Sequence, residues 1–173
     1  MENNTNHTSN SSMDRTRYIA QAAMTAAIYT VLTVIAAGFD LASGAIQVRF
    51  SEALAILPVF TPAAVPGLTL GCLISNLITG CALPDIIFGS LATLLGALGT
   101  YALRSHRILC TIPPIVSNAL IIPFVLRYAY GVPDLIPFMM LTVGMGEVIS
   151  VGLLGNLLRI ALIKAGADRF LTD

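Results

Sequence analysis

The chain has 173 residues, 56% of them hydrophobic and 10% charged, with nine basic residues balancing nine acidic ones. About a quarter of a soluble domain is charged, so this chain cannot cover a water-facing globule; a mean hydropathy of +0.85 suits an outer face that meets lipid. Zero net charge also argues against a nucleic-acid surface, which needs a basic excess.

Residues 1–14 are rich in Asn, Thr and Ser without apolar periodicity and read as a disordered polar tail, leaving 15–173 as a single domain. The first apolar run covers 18–38, behind Arg15 and Arg17. A cleaved signal peptide ending at Ala36-Ala37-Gly38 is the competing reading, but the run is about twice the usual length for one and further spans follow. A polar stretch at 39–52 precedes a short apolar span at about 51–60. Pro62 and Pro66 make 61–67 a turn, since each proline removes a donor and disfavours helix just before it. A third span follows at about 67–79. Leu83-Pro84-Asp85 opens a fourth, running to about 103, with proline near the first turn and an acid at the positive dipole end. The fifth covers 108–130, with Pro113-Pro114 near its start, and the sixth 135–163.

The second and third spans fall short of the roughly 20 residues an upright crossing needs, and a single re-entrant feature is the alternative to two crossings. Charge decides. Basic residues cluster at Arg15/Arg17, Arg104/Arg107 and Arg159/Lys164/Arg169. Placing all three clusters in the cytoplasm requires an even number of crossings between successive clusters. Four crossings and then two satisfy this, which gives an all-α integral membrane protein, a six-transmembrane-helix bundle with both termini cytoplasmic. Small residues at packing spacing, Gly67/Gly71, Ala92/Gly96/Thr100 and Gly146/Ser150, fit close helix contacts in lipid.

Ionisable groups at membrane depth are costly unless they face a partner or water. Glu147, flanked by Gly144 and Gly146, is the sharpest case, and a structural hydrogen bond between helices is its bland alternative. Asn118 and Asn76 lie inside the fifth and third spans and suit either role; Asn156, nearer the inner end, reads as structural. Arg49 and Glu52 stand three apart at the start of the second span, on one face if the helix covers both, and an ion pair ordering the loop is the plainer reading. With Asn76, Asp85, Asn118 and Glu147 they are expected to line a cavity open to the outside. Its excess of carboxylates suits a ligand that donates hydrogen bonds or carries positive charge.

No catalytic constellation emerges. His7 and His106 lack metal-ligand spacing, Cys72, Cys81 and Cys110 sit in apolar stretches as small hydrophobes, and no phosphate loop is present, so no cofactor is expected and ATP hydrolysis would need another chain. No voltage-sensor arginine series, selectivity filter or inverted repeat is evident. On the first helix, Ala22/Ala26 and Ala23/Ala27 form an alanine-lined face. It serves either packing within the bundle or docking to a second membrane protein.

The run Gln47-Val48-Arg49-Phe50-Ser51-Glu52-Ala53-Leu54, then Leu57-Pro58, residues 61–67, and residues 85–94 from Asp85 through Phe88-Gly89 to Leu94 resemble the QueT family. These are the substrate-binding S components of energy-coupling-factor (ECF) transporters associated with queuosine precursors. The likeness extends over nearly all of 15–165. It implies a multi-pass protein of the bacterial plasma membrane with a loop-closed pocket near the extracellular side. It also implies two kinds of partner, a transmembrane T component and two cytoplasmic ECF ATPases. By resemblance, the T component would contact Ala22, Ala23, Ala26 and Ala27. The long Asn/Ser tail departs from the short N-terminus such a family leads one to expect.

A 7-deazaguanine base fits this reading, because one carboxylate accepts from its ring N–H and amino group together while Asn reads the neighbouring positions. Glu147 and Glu52 are the candidates for two carboxylate roles, one on the base edge and one on an aminomethyl cation if the ligand carries it, with neither role assigned to either residue, and Phe39, Phe50, Phe88 or Tyr128 are the candidates to stack on the base. The alternatives are an S component for another vitamin, a stand-alone proton-coupled secondary transporter of a small polar or cationic solute, and a membrane scaffold whose polar residues only join helices.

Overall fold

The computed structural model describes residues 3–38, 49–167 and 171, and among these the secondary structure is helical, without strands. In chain order the helices are α1 (Asn3–Gly38), α2 (Phe50–Val59), α3 (Ala64–Ile78), α4 (Leu83–Ala102), α5 (Leu109–Ala129) and α6 (Ile136–Lys164). Four apolar stretches are long enough to cross a membrane: Met13–Gly38 of α1, and α4, α5 and α6. The fourth, fifth and sixth spans expected from sequence lie where the structure has α4, α5 and α6.

Three local details differ from the sequence reading. Helix α1 starts at Asn3, inside the expected polar tail; extending a helix from an already formed apolar segment is far easier than nucleating one. Helix α3 begins at Ala64, so Pro66 lies in its first turn and not in a preceding loop. Backbone N–H groups there lack intrahelical acceptors anyway, so proline removes nothing. Helix α6 widens into π form over Val148–Gly155, which no sequence pattern announced.

Helix α2 is the short element around which the rest is arranged. It lies against α1, α4 and α6, while α1, α3, α4, α5 and α6 pack in succession. Ten residues wound as a 3₁₀ helix reach about 20 Å, against a hydrocarbon core of about 30 Å. Such irregular backbone is tolerated at membrane depth where protein encloses it. Ser51, Glu52 and Leu54 to Pro58 are all buried. Leu54 and Leu57 join Tyr29, Ala64, Val65, Leu68, Cys72 and Ala97 in the apolar core. The outward faces of the long helices expose Leu141, Leu153, Leu157 and similar side chains, as lipid requires.

Small residues set the helix spacings. A Cβ on Gly67 would stand 2.7 Å from the Ala22 carbonyl oxygen, and one on Gly71 would stand 2.8 Å from Tyr29 Cβ and 3.0 Å from the Ala26 carbonyl oxygen. This glycine pair therefore receives the Ala22/Ala26 edge of α1 directly. Thr100 Oγ1 donates to the Cys110 carbonyl at 2.9 Å where α4 meets the start of α5.

Gly67→Ala should lower the melting temperature in detergent, costing about 1–3 kcal/mol, because backbone must shift to admit the methyl. Gly144→Ala is the control: its new Cβ would meet only Ala119 Cβ, at 3.6 Å, and the melting temperature should hold or rise.

Candidate polar site among the membrane helices

The sequence-predicted polar site residues are spread over five helices: Arg49 and Glu52 at the start of α2, Asn76 on α3, Asp85 on α4, Asn118 on α5 and Glu147 on α6. Arg49 precedes α2 in extended conformation, with φ −105° and ψ 108°. Its carbonyl accepts the Glu52 N–H at 3.1 Å, the first rung of the 3₁₀ helix, and its own N–H donates to Ser150 Oγ at 3.1 Å, in the π segment of α6. The start of α2 is thereby tied to the turn that follows Glu147. Helix α2 does not cover Arg49, so the condition for a shared helix face with Glu52 is not met; the two are linked through this backbone bond instead. They do not close an ion pair: the Arg49 charge instead acts on Tyr29, Glu52, Asp85 and Glu147 together.

Glu52 is 2% exposed and accepts a 2.5 Å hydrogen bond at Oε1 from the hydroxyl of Tyr29 on α1. Sequence reasoning missed Tyr29. The available signal was its position: tyrosine favours the membrane–water interface, and this one sits in the middle of an apolar run with its hydroxyl in need of a partner.

Asn76 and Asp85 belong to a second, better satisfied group. Asp85 Oδ2 accepts from the Tyr130 hydroxyl at 2.9 Å, and the Tyr130 oxygen accepts from the Ala82 N–H at 3.1 Å, joining the start of α4 to the end of α5. Loss of hydration, and then the Asp85 carboxylate to which it donates, hold the Tyr130 hydroxyl above its ordinary pKa. Asn76 Nδ2 donates to the Asp85 carbonyl at 3.4 Å and lies 3.7 Å from Cys72 Sγ. Asn156, expected to be structural, donates to the Gly152 carbonyl at 2.7 Å within α6.

Glu147 and Asn118 are different. They are 5% and 3% exposed, and Asn118 of α5 is a neighbour within hydrogen-bonding reach of the Glu147 carboxylate. Yet Glu147 Oε2 and Asn118 Nδ2 are sealed from solvent without a hydrogen-bond partner of good geometry. Buried polar atoms are nearly always satisfied, and these two groups lie close enough to serve each other, so the pair is a buried carboxylate–amide contact between α5 and α6 whose mutual bond is poorly formed, which makes it a candidate ligand position. The π turn beginning at Val148 supports that assignment, since such turns recur at functional sites.

A QueT transporter family model matches residues 19–164. The chain belongs to the QueT transporter family. No curated protein and no solved structure matches it at comparable stringency. The QueT match contains Tyr29, Arg49, Glu52, Asn118 and Glu147, so the polar group lies wholly within the part shared with the family. Membership makes this a membrane transport protein and not an enzyme.

The remaining site expectations are placed as follows. Phe50 is 44% exposed, on the first turn of α2, while Glu52 two residues on is buried. Phe88 and Tyr128 line an apolar groove of about 420 Å³ with Phe124 and Leu120, between α4 and α5. Phe39 and Asp40 lie outside the described residues. The alanine stripe divides: Ala22 and Ala26 are taken up by Gly67 and Gly71 within the bundle, whereas Ala23 and Ala27 face outward.

Tyr29→Phe should destabilise the QueT protein by about 1–3 kcal/mol in detergent unfolding, because Glu52 then keeps its burial and loses its donor. Combined with Glu52→Gln the loss should be smaller than the sum of the two single losses, the signature of a direct pair.

Proposed function

We propose that this chain is the substrate-binding membrane subunit, the S component, of an ECF-type ATP-driven importer in the bacterial plasma membrane, taking up a queuosine precursor of the 7-deazaguanine class. In this reading six helices cross or enter the membrane with both termini cytoplasmic, and a transmembrane T component and two cytoplasmic ATPases supply the energy. The observation that carries it is the buried Glu147–Asn118 couple, which joins two long apolar helices without a well-formed hydrogen bond and is electrostatically linked to Arg49 and Glu52. Asp85 and Tyr130, by contrast, close a well-formed bond of the kind a purely structural contact makes.

The substrate class draws on the family membership and on chemistry. Glu147 accepts donors from the base, Asn118 reads a neighbouring position, and Glu52, held by Tyr29, shapes the field together with Arg49. Asn76 and Asp85 hold the same end of α3, α4 and α5 in place beside the ligand. Phe50 is the candidate to stack on the base once ligand and loop close over it. The outward pair Ala23 and Ala27 leaves a shallow surface on α1 where the T component docks. Ala22 and Ala26 support that surface from behind through their contacts with α3.

Calorimetric titration of the purified chain tests the substrate. A 7-deazaguanine-class precursor should bind, while thiamin, riboflavin and biotin should not, and Glu147→Leu should weaken binding by about 10- to 100-fold. If none of these solutes binds, the substrate assignment fails. Uptake by liposomes containing this chain alone under a proton gradient would instead support the secondary-transporter reading.

A further inference from the structure

The end of the bundle away from Asp85 and Tyr130 carries a second group of charges, which the proposed solute site does not use. Arg104 and Arg107 lie in the turn between α4 and α5, and Arg159 lies on α6, five residues before Lys164 at its end. No Asp or Glu occurs between 86 and 133 or between 148 and 167. Arg159 Nη1 donates to the Arg107 carbonyl at 3.3 Å and lies 4.0 Å from Cys110 Sγ, which brings its guanidinium against the start of α5. Arg104 is already engaged, since it lies over the Tyr101 ring, 4.2 Å from the centroid, and donates to the Tyr101 carbonyl at 3.0 Å. Arg107 and Arg159 are not. Among the described residues neither meets a carboxylate, and the exposed Arg107 guanidinium has no acceptor at all.

Arg159 is half-buried and, at about 1.5 Å per residue, sits roughly 7 Å short of the end of α6. A cation at that depth is costly unless something of opposite charge meets it. Each guanidinium presents five donors in a fork, and a phosphate, with several acceptor oxygens, matches that geometry. The surroundings decide which phosphate. Ile108, Ile112 and Ile163 stand beside these arginines on α5 and α6, 75%, 44% and 49% exposed. A soluble anion gains nothing from that apolar surface, whereas acyl chains do. From this juxtaposition we propose that Arg107 and Arg159 hold the phosphate of an anionic phospholipid, whose acyl chains run along the outer faces of α5 and α6. The lipid joins the α4–α5 turn to α6 at the end that the proposed topology puts in the cytoplasm, and the site does not depend on which solute is carried.

Lipid titration of the delipidated full chain in an uncharged detergent tests this. Phosphatidylglycerol should stay with the chain through size-exclusion chromatography and raise its melting temperature, and phosphatidylcholine with the same acyl chains should do so far less. Glycerol phosphate, a headgroup without chains, should have no effect at the same concentration. Arg107→Gln and Arg159→Gln should each weaken phosphatidylglycerol binding by about 5- to 10-fold. Arg127→Gln, which removes one positive charge at the other end of α5, should leave it unchanged. The parent chain decides the matter even where a variant fails to fold. Equal retention of the two lipids would overturn the proposal and leave the arginines to an acidic protein surface. An equal effect of glycerol phosphate would replace the lipid by a free anion. An equal loss in Arg127→Gln would show attraction by net charge without a site.

Discussion

Everything in this molecule is arranged around carboxylates placed where water is scarce. Glu52 and Glu147 lie in the buried middle of an apolar bundle, and a charge there is tolerated only with compensation close by. Arg49 supplies part of it to both, and Tyr29 supplies a hydrogen bond to Glu52 alone. Among the described residues, Glu147 has only Asn118 as a hydrogen-bonding neighbour, and the contact between them is poorly formed. A half-satisfied polar network is a poor way to hold helices together. The proposed role as a solute site would account for it.

The fold makes this possible by keeping α2 short, central and tightly wound. A full-length α-helix in its place would carry Arg49 and Glu52 along a lipid-length column; a ten-residue 3₁₀ helix instead brings them to the level of the π turn of α6. Close contacts elsewhere leave room for it. Gly67 and Gly71 bring α3 onto α1, and this same contact positions Tyr29, whose Cβ lies against Gly71. Packing and chemistry thus share residues: the helix that offers Ala23 and Ala27 to the outside also reaches into the polar group through Tyr29. The outward alanine face of α1 and the polar group are in this way joined through one helix.

Much of this was legible in the sequence. The low charge, the long apolar runs and the positions of Pro84 and Pro113-Pro114 led to the helices α4, α5 and α6 with boundaries close to those observed. Glu147 and Asn118 stood out as polar residues inside apolar runs, which is the strongest local signal a membrane protein offers. What was not legible depends on three-dimensional neighbours. Nothing in a linear pattern separates Asp85, whose carboxylate closes a well-formed bond with Tyr130, from Glu147, whose Oε2 has none. The four alanines of α1 look alike in sequence, and only the presence of Gly67 and Gly71 against one edge divides them. The 3₁₀ and π windings were hidden for a related reason: both are imposed by tertiary packing and have no composition of their own.

The central claim is that the Glu147–Asn118 couple belongs to a ligand, and the most direct measurement is a structure of the chain determined with bound 7-deazaguanine. The account predicts the base between α5 and α6, its ring N–H within hydrogen-bond distance of Glu147 and its carbonyl within the same reach of Asn118. A base seated elsewhere, out of reach of both Glu147 and Asn118, would contradict it.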